Sequence, residues 1–326
     1  MAALSDLVIG QTAEKIRPYL LEIWEKIFRI LDDKKKSVRK AAKNCLQSLT
    51  SMTERIADPS YTPELEAKNA VDIVLPLLLQ DGLNSQVKGI PMISIGLIEK
   101  IIKSASFLIS EHVPSIVTSL LRALQGIESP DLNIIQQHAD RIGLSEEMIE
   151  SARVKFSKFS PVNDCLTSCT KHVNKENITD LMKELQSLLS SKYGLTTRTG
   201  SASLIISIAN GYPELIKPFV GKSLIVLKRR VKSTSRSIRK SFAQCIGNLA
   251  KFATKKSIRK LIEFLLDLYN TAEDDNQRDI VGEVILELSK YALQRIQPHF
   301  NQIIPLIFLA RQNQKNSIRE VWNYNN

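Results

Sequence analysis

The sequence predicts an all-α solenoid of stacked helix pairs, and three observations carry that prediction. Apolar residues recur at helical spacing: Ile238, Phe242, Cys245, Ile246 and Leu249 share one face at i, i+4, i+7, i+8 and i+11. Strand-like alternation of period two is absent from the long segments. Finally, the chain repeats itself. Ser37-Val38-Arg39-Lys40 and onward to Leu49 overlies Ser237-Ile238-Arg239-Lys240 and onward to Leu249, with five of thirteen positions identical at an offset of 200.

The same offset sets Ile16, Pro18, Tyr19 and Ile27 over Ile216, Pro218, Phe219 and Leu227, and an offset of 280 sets Ile16, Pro18 and Ile27 over Ile296, Pro298 and Ile307. A shift of 39 lays Arg239, Cys245 and Leu249 over Arg278, Val284 and Leu288. Two helices in a period of about 40 residues define the HEAT/armadillo class, not the shorter tetratricopeptide or ankyrin units. At that period the 326 residues hold about six or seven repeats.

Taken in order, Ala2 to Gly10 reads as the tail of an inner helix with Leu4, Leu7 and Val8 on one face and Gly10 as its C-cap. Its outer partner is missing, so the chain is expected to be a piece of a longer solenoid. Outer helices are expected to begin near Ile16, Val71, Pro114, Pro213, Ser257 and Ile296, and inner helices near Ser37, Ser85, Thr199, Ser237 and Asp275. The organisation is then N-terminal repeats over 1–128, an irregular helical middle over 129–194 and C-terminal repeats over 195–326. In the middle, Ser129-Pro130-Asp131, Ser160-Pro161 and Asn174-Lys175-Glu176-Asn177 act as helix starts or turns.

Composition excludes several classes. With 43% hydrophobic residues, 12 Gly and 12 Pro, the chain is neither collagenous nor disordered. Four cysteines are too sparse for a disulfide scaffold, so a reducing compartment, cytoplasm or nucleus, is expected. The opening residues lack a basic segment and meet Asp6 early, unlike a signal peptide. The longest apolar stretches, 200–211 and 89–98, fall short of the roughly 18 to 20 residues of a bilayer span.

No catalytic constellation emerges. His112, His138, His172 and His299 form no paired spacing. Cys165, Cys169 and His172 fall on one side of a helix, yet no fourth ligand accompanies them, and small buried cysteines explain the spacing. Gly194 to Gly200 has paired glycines without the following Lys-Ser/Thr or a preceding strand, so it reads as a turn into a helix with Thr199 or Ser201 as N-cap. Neither enzyme nor cofactor nor metal site is expected.

Charge is the unusual feature. From Lys217 to Lys260 there are fourteen basic residues and no acidic one, which against a whole-chain charge of +11 leaves the remainder at −3. Such a block attracts anionic partners. Its aromatics, Phe219, Phe242 and Phe252, sit at core-like positions, which favours an acidic protein surface over nucleic acid. The partner-binding candidates are Lys228, Arg229, Arg230, Lys232, Arg236, Lys240, Lys255 and Lys256. Arg39, Arg239 and Arg278 each follow a turn at the start of an inner helix, and are expected to form a structural ladder with turn aspartates such as Asp32, Asp33 and Asp275.

The run Ile23-Trp24-Glu25-Lys26-Ile27-Phe28-Arg29-Ile30-Leu31-Asp32-Asp33, continuing to Val38-Arg39-Lys40-Ala41-Ala42, resembles the proteasome adapter and scaffold protein family. Further similarity lies in Leu4 to Leu7, Gly194 to Ser207, Ile304 to Leu309 and Glu320-Val321-Trp322. The resemblance runs nearly end to end and is to the family's C-terminal part. It implies a non-enzymatic tether that binds proteasome subunits, holds core and regulatory particles together, and links them to membrane compartments such as endoplasmic reticulum or endosomes. Alternatives are a HEAT transport receptor or phosphatase-type scaffold, and a nucleic-acid-binding HEAT module.

Overall fold

The computed structural model describes residues 13–125 and 143–311, apart from 88, 191 and 234, together with 134, 135, 137, 138 and 141. The expected helix tail at 2–10, the turn at 129–131 and the segment 320–322 lie outside the described residues. Among the described residues the regular structure is helical throughout, and contacts divide the chain into two compact units: Met1–Ile127 with Phe159–Asn177, and Glu128–Lys158 with Ile178–Asn326.

In the first unit, turns at Ala13–Ile16 and Arg17–Tyr19 lead into α1 (Leu20–Leu31), which pairs with α2 (Lys36–Ala57). α3 (Glu64–Leu77) and α4 (Ile90–Ser104) meet at a π-helical turn, Leu78–Gly82, that packs on both. Pro76 lies just before that turn and cannot donate to the helical ladder, which is where such widened turns form. At Gly82 a Cβ would collide with Ser94, so the turn seats on α4 only because the side chain is absent. The stretch Ser106–His112 leads into α5 (Val113–Ala123), which packs on α7 (Pro161–Thr170). Outer helices α1 and α3 touch each other, as do inner helices α2, α4 and α7 in turn.

The second unit holds the pairs α8 (Ile178–Leu188) with α9 (Leu195–Gly211), α10 (Pro213–Arg230) with α11 (Arg236–Ala250), and α12 (Lys255–Asn270) with α13 (Asp275–Ile296), followed by α14 (Phe300–Arg311). Helices α8, α10, α12 and α14 form one layer, and α9, α11 and α13 the other. A further helix, α6 (Glu146–Lys158), packs on α9 and α11.

Burial follows the apolar stripe. Ile238, Phe242, Cys245, Ile246 and Leu249 are all buried on α11, and Ile280, Val281, Val284, Ile285 and Leu288 face them from α13. The matched cysteines Cys45 and Cys245 are both fully buried on inner helices. Among the described residues Trp24 is the largest fully buried side chain, and its indole N–H donates to Thr53 Oγ1 at 3.0 Å, so its one polar atom is satisfied. α11 and α13 approach each other closely. A Cβ at Gly247 would lie 2.6 Å from the Glu287 backbone oxygen.

Several expected starts shift. α9 begins at Leu195 with Gly194 as its N-cap residue, and Thr199 and Ser201 lie inside the helix, bonding back to Leu195 and Thr197 carbonyls instead of capping. α4 begins at Ile90, after Gly89 at φ +100°, a left-handed conformation that sets its start later than Ser85. α3 begins at Glu64 behind Pro63, ahead of Val71. Helix α13 breaks regular geometry at Ala292, φ −136° and ψ 30°, shortly before the expected outer helix near Ile296. The segment 129–194, expected as one irregular middle, is shared between the two units, with α6 and α8 in one and α7 in the other.

Candidate partner-binding surface

The basic block lies in the second unit and separates into three clusters. The first surrounds the end of α10. Lys228 Nζ sits 5.2 Å from the Phe264 ring centroid and donates to the Lys260 carbonyl at 3.2 Å, while Lys232 Nζ lies 5.8 Å from the same ring. Burial, then the neighbouring Lys260 and Arg229 charges, lower the Lys228 pKa, with Glu263 opposing. Lys228, Arg229 and Arg230 close the last turn of α10, where cations complement the helix dipole, so part of their charge serves the fold.

The second cluster faces α6. Arg236 Nη1 lies 3.1 Å from a Glu147 carboxylate oxygen, Lys240 Nζ 3.8 Å from Glu147 Oε1, and Ser235 Oγ donates to Glu150 Oε2 at 2.6 Å. Burial works against the Arg236 charge, but Glu147, Glu283 and Asp279 outweigh it and the pKa rises. Beneath them Glu283 is 7% exposed and neither of its oxygens has a hydrogen bond; Arg236 Nε lies 3.7 Å from its Oε1. Burial raises its pKa, with Arg239, Arg236 and Lys240 opposing. A cavity of about 440 Å³ opens here between α6, α11 and α13, lined by Lys155, Lys158, Lys240, Lys290 and Glu283 among others.

The third cluster begins α12. Thr254 caps the helix by accepting the Ser257 N–H, and Lys255, Lys256 and Arg259 follow in and beside the first turn with no acidic residue among the first. Cations at a helix N-terminus oppose the dipole by about 0.3–1 kcal/mol each. Arg259 pairs with Glu263 at 3.6 Å, but among the described residues no carboxylate lies within ion-pair distance of the exposed Lys255 or Lys256. Here the charge is set against the local fold.

The recurring arginines grip the main chain of their own turns. Arg39 donates to the Asp33 carbonyl at 2.6 Å, Arg239 to the Ser233 carbonyl at 3.1 Å and Arg278 to the Ala272 carbonyl at 3.3 Å, each six residues back in its own turn. The carbonyls after an outer helix lack helical partners, and a guanidinium one turn into the next helix satisfies them. Arg278 also meets a carboxylate, Asp275 at 3.1 Å, within its own helix. The Asp33 side chain instead accepts the Lys35 N–H at 2.7 Å.

Cys165, Cys169 and His172 are not arranged as ligands. Cys165 Sγ donates to the Ile95 carbonyl at 3.6 Å, burial pushes its pKa to about 12 and raises that of Cys169 as well, so both remain thiols at neutral pH. Burial lowers the His172 pKa. Among the described residues no group of three or more potential ligands is poised for a metal, and no helix is long and apolar enough to cross a membrane. Of the block's aromatics, Phe242 is buried under Arg198 at 5.3 Å, and Phe219 and Phe252 are half-buried. What the sequence reading missed is α6, whose acidic start Ser145-Glu146-Glu147 is a helix signature legible in the sequence but not its destination.

Helix pairs stacked in two layers within each unit, three of them closed by an arginine on its own turn, define an α-solenoid of the HEAT/armadillo class, with about six helix pairs among the described residues. Residues 109–270 match the HEAT-repeat domain of the proteasome adapter and scaffold protein ECM29, and the chain is ECM29-like over most of its length. It is 30% identical over 308 residues to the human proteasome adapter and scaffold protein ECM29, covering 94% of this chain and 16% of that protein. The Drosophila melanogaster proteasome-associated protein ECM29 homolog is 25% identical over 299 residues, 92% of this chain and 16% of its own. The Saccharomyces cerevisiae proteasome component ECM29 is 23% identical over 325 residues, 99% of this chain and 17% of its own. The chain thus spans about a sixth of the length of these relatives.

Proposed function

We propose that this chain is a non-enzymatic scaffold segment that binds the 26S proteasome and tethers it, core to regulatory particle or to other compartments. Its relatives are named as a proteasome adapter and scaffold protein and a proteasome-associated protein, and its helix-pair layers offer surface for recognition instead of a catalytic centre. The observation that carries a binding surface is the charge at the start of α12, where Lys255 and Lys256 are exposed, unpaired among the described residues and opposed to the helix dipole. Charge kept at a cost to the fold fits an acidic protein surface on the partner. The working sites are then cytoplasm and nucleus, with peripheral attachment to endoplasmic reticulum or endosomes.

Immobilised chain should retain proteasomes from a lysate, read as peptidase activity and subunit bands in the eluate. Lys255→Glu with Lys256→Glu should lower retention about tenfold at unchanged helical circular dichroism. Recovery of no proteasome subunits by the unaltered chain would remove the scaffold reading, and retention indifferent to the double reversal would remove the α12 surface.

A further inference from the structure

Part of the surface of α11 is covered by the chain itself. Helix α6 lies on α9 and α11 and presents Glu147 to Arg236 and Lys240 and Glu150 to Ser235. Yet α6 is a poor core element: it buries only Ile149, at 5%, and leaves Met148 and Phe156 exposed at 57% and 62%. By contrast α11 buries ten residues, including Ile238, Phe242 and Leu249. The seat beneath it is imperfect too. A cavity of about 440 Å³ remains between α6, α11 and α13, and the Glu283 carboxylate lining it is buried without a hydrogen bond.

We infer that the α11–α13 face under α6 is a docking surface for an acidic amphipathic helix of a partner protein, and that α6 is its resident, displaceable occupant. Glu147, Ile149 and Glu150 supply the recognition pattern: two carboxylates that meet Arg236, Lys240 and Ser235, with one aliphatic anchor between them. Polar contacts at a solvent-reached edge hold weakly and are salt-sensitive, whereas helices that bury many apolar residues do not lift separately. α6 is therefore an element that opens without unfolding α11. A partner helix that also brings a donor to the Glu283 carboxylate satisfies an atom that α6 leaves unsatisfied, and so competes. This deepens the acidic-partner reading of the basic block but concerns α11, not the α12 lysines.

The probe is a fluorescein-labelled peptide of this chain's residues 143–160, added to the full chain and followed by anisotropy. The unaltered chain should bind it weakly, because α6 competes. Glu147→Gln with Glu150→Gln in the chain should tighten peptide binding about tenfold, and adding Arg236→Gln and Lys240→Gln to that variant should abolish it. Hydrogen exchange supplies a second readout, since saturating peptide should speed exchange at 146–158 in the unaltered chain while α11 amides stay protected. Equal peptide affinity for the unaltered and α6-weakened chains, no binding to either, or binding that survives loss of Arg236 and Lys240 would each overturn the inference. Because no proteasome enters these measurements, their failure is separate from failure of the scaffold reading.

Discussion

Arg39, Arg239 and Arg278 show how one residue type closes a repeat. A turn that follows an outer helix carries carbonyls with no helical partner, and a guanidinium six residues on reaches back to one of them in each case. Arg239 is largely withdrawn from solvent, which makes it a structural residue despite its place in the basic block. Glu283 poses the opposite problem, a buried carboxylate whose ionised form lacks hydrogen bonds. Its pKa is raised because burial disfavours the charge more than Arg239, Arg236 and Lys240 favour it, with Asp279 adding repulsion. The folded chain thus holds this proton at a pH where the unfolded chain has lost it. The stability it contributes is complete below the ordinary value of 4.5 and declines as pH rises toward the folded value. Glu283→Gln should flatten the fall of the urea midpoint above pH 4.5 and raise it at pH 7. Some slope should remain, since burial raises Asp279 as well. An unchanged pH profile would show that Glu283 does not titrate differently in the fold.

At the scale of elements, the contact between inner helices is set by what is missing at one position. Gly247 lets α11 come close enough to α13 that an added methyl would meet the Glu287 backbone, which cannot swing aside as a flexible side chain would. Gly247→Ala should therefore destabilise the chain by about 1–3 kcal/mol in urea melts, despite alanine's better helix propensity. A stabilised variant would mean that the two helices can separate at no cost. α12 shows a different compromise: a satisfied Thr254 cap followed by lysines that the dipole disfavours. α6 differs from both: it buries one apolar residue, Ile149, and adds ion pairs from Glu147 to Arg236 and Lys240 to its packing on α9 and α11.

The whole molecule inherits the logic of a stack, in which each helix pair gains its core from its neighbours. Leu49 on α2 and Leu249 on α11 are fully buried, occupy matched places in the repeat and belong to different units. Leu49→Ala should cost about 2–5 kcal/mol and speed hydrogen exchange in α1 to α4, and Leu249→Ala should cost as much and act on α9 to α13. The double variant should be additive within about 0.5 kcal/mol. Exchange that accelerates throughout the chain for either single substitution would argue against nearest-neighbour stability.

The helical stripe, the period near 40 residues and the equivalence of Cys45 with Cys245 were determined by the sequence alone, because burial of one apolar face imposes both the 3.6-residue spacing and the repeat length. So was the basic block, as a count of charges. Where those charges point was decided only by tertiary structure. Lys255 and Lys256 face solvent, Lys228 and Lys232 flank Phe264, and Arg236 and Lys240 meet carboxylates nearly ninety residues earlier. The same holds for the carbonyls that Arg39, Arg239 and Arg278 grip, groups every residue carries and no sequence pattern marks. Periodicity reports which side of a helix is buried, but a contact between charges distant in the chain depends on how helices pack, and that information is not local.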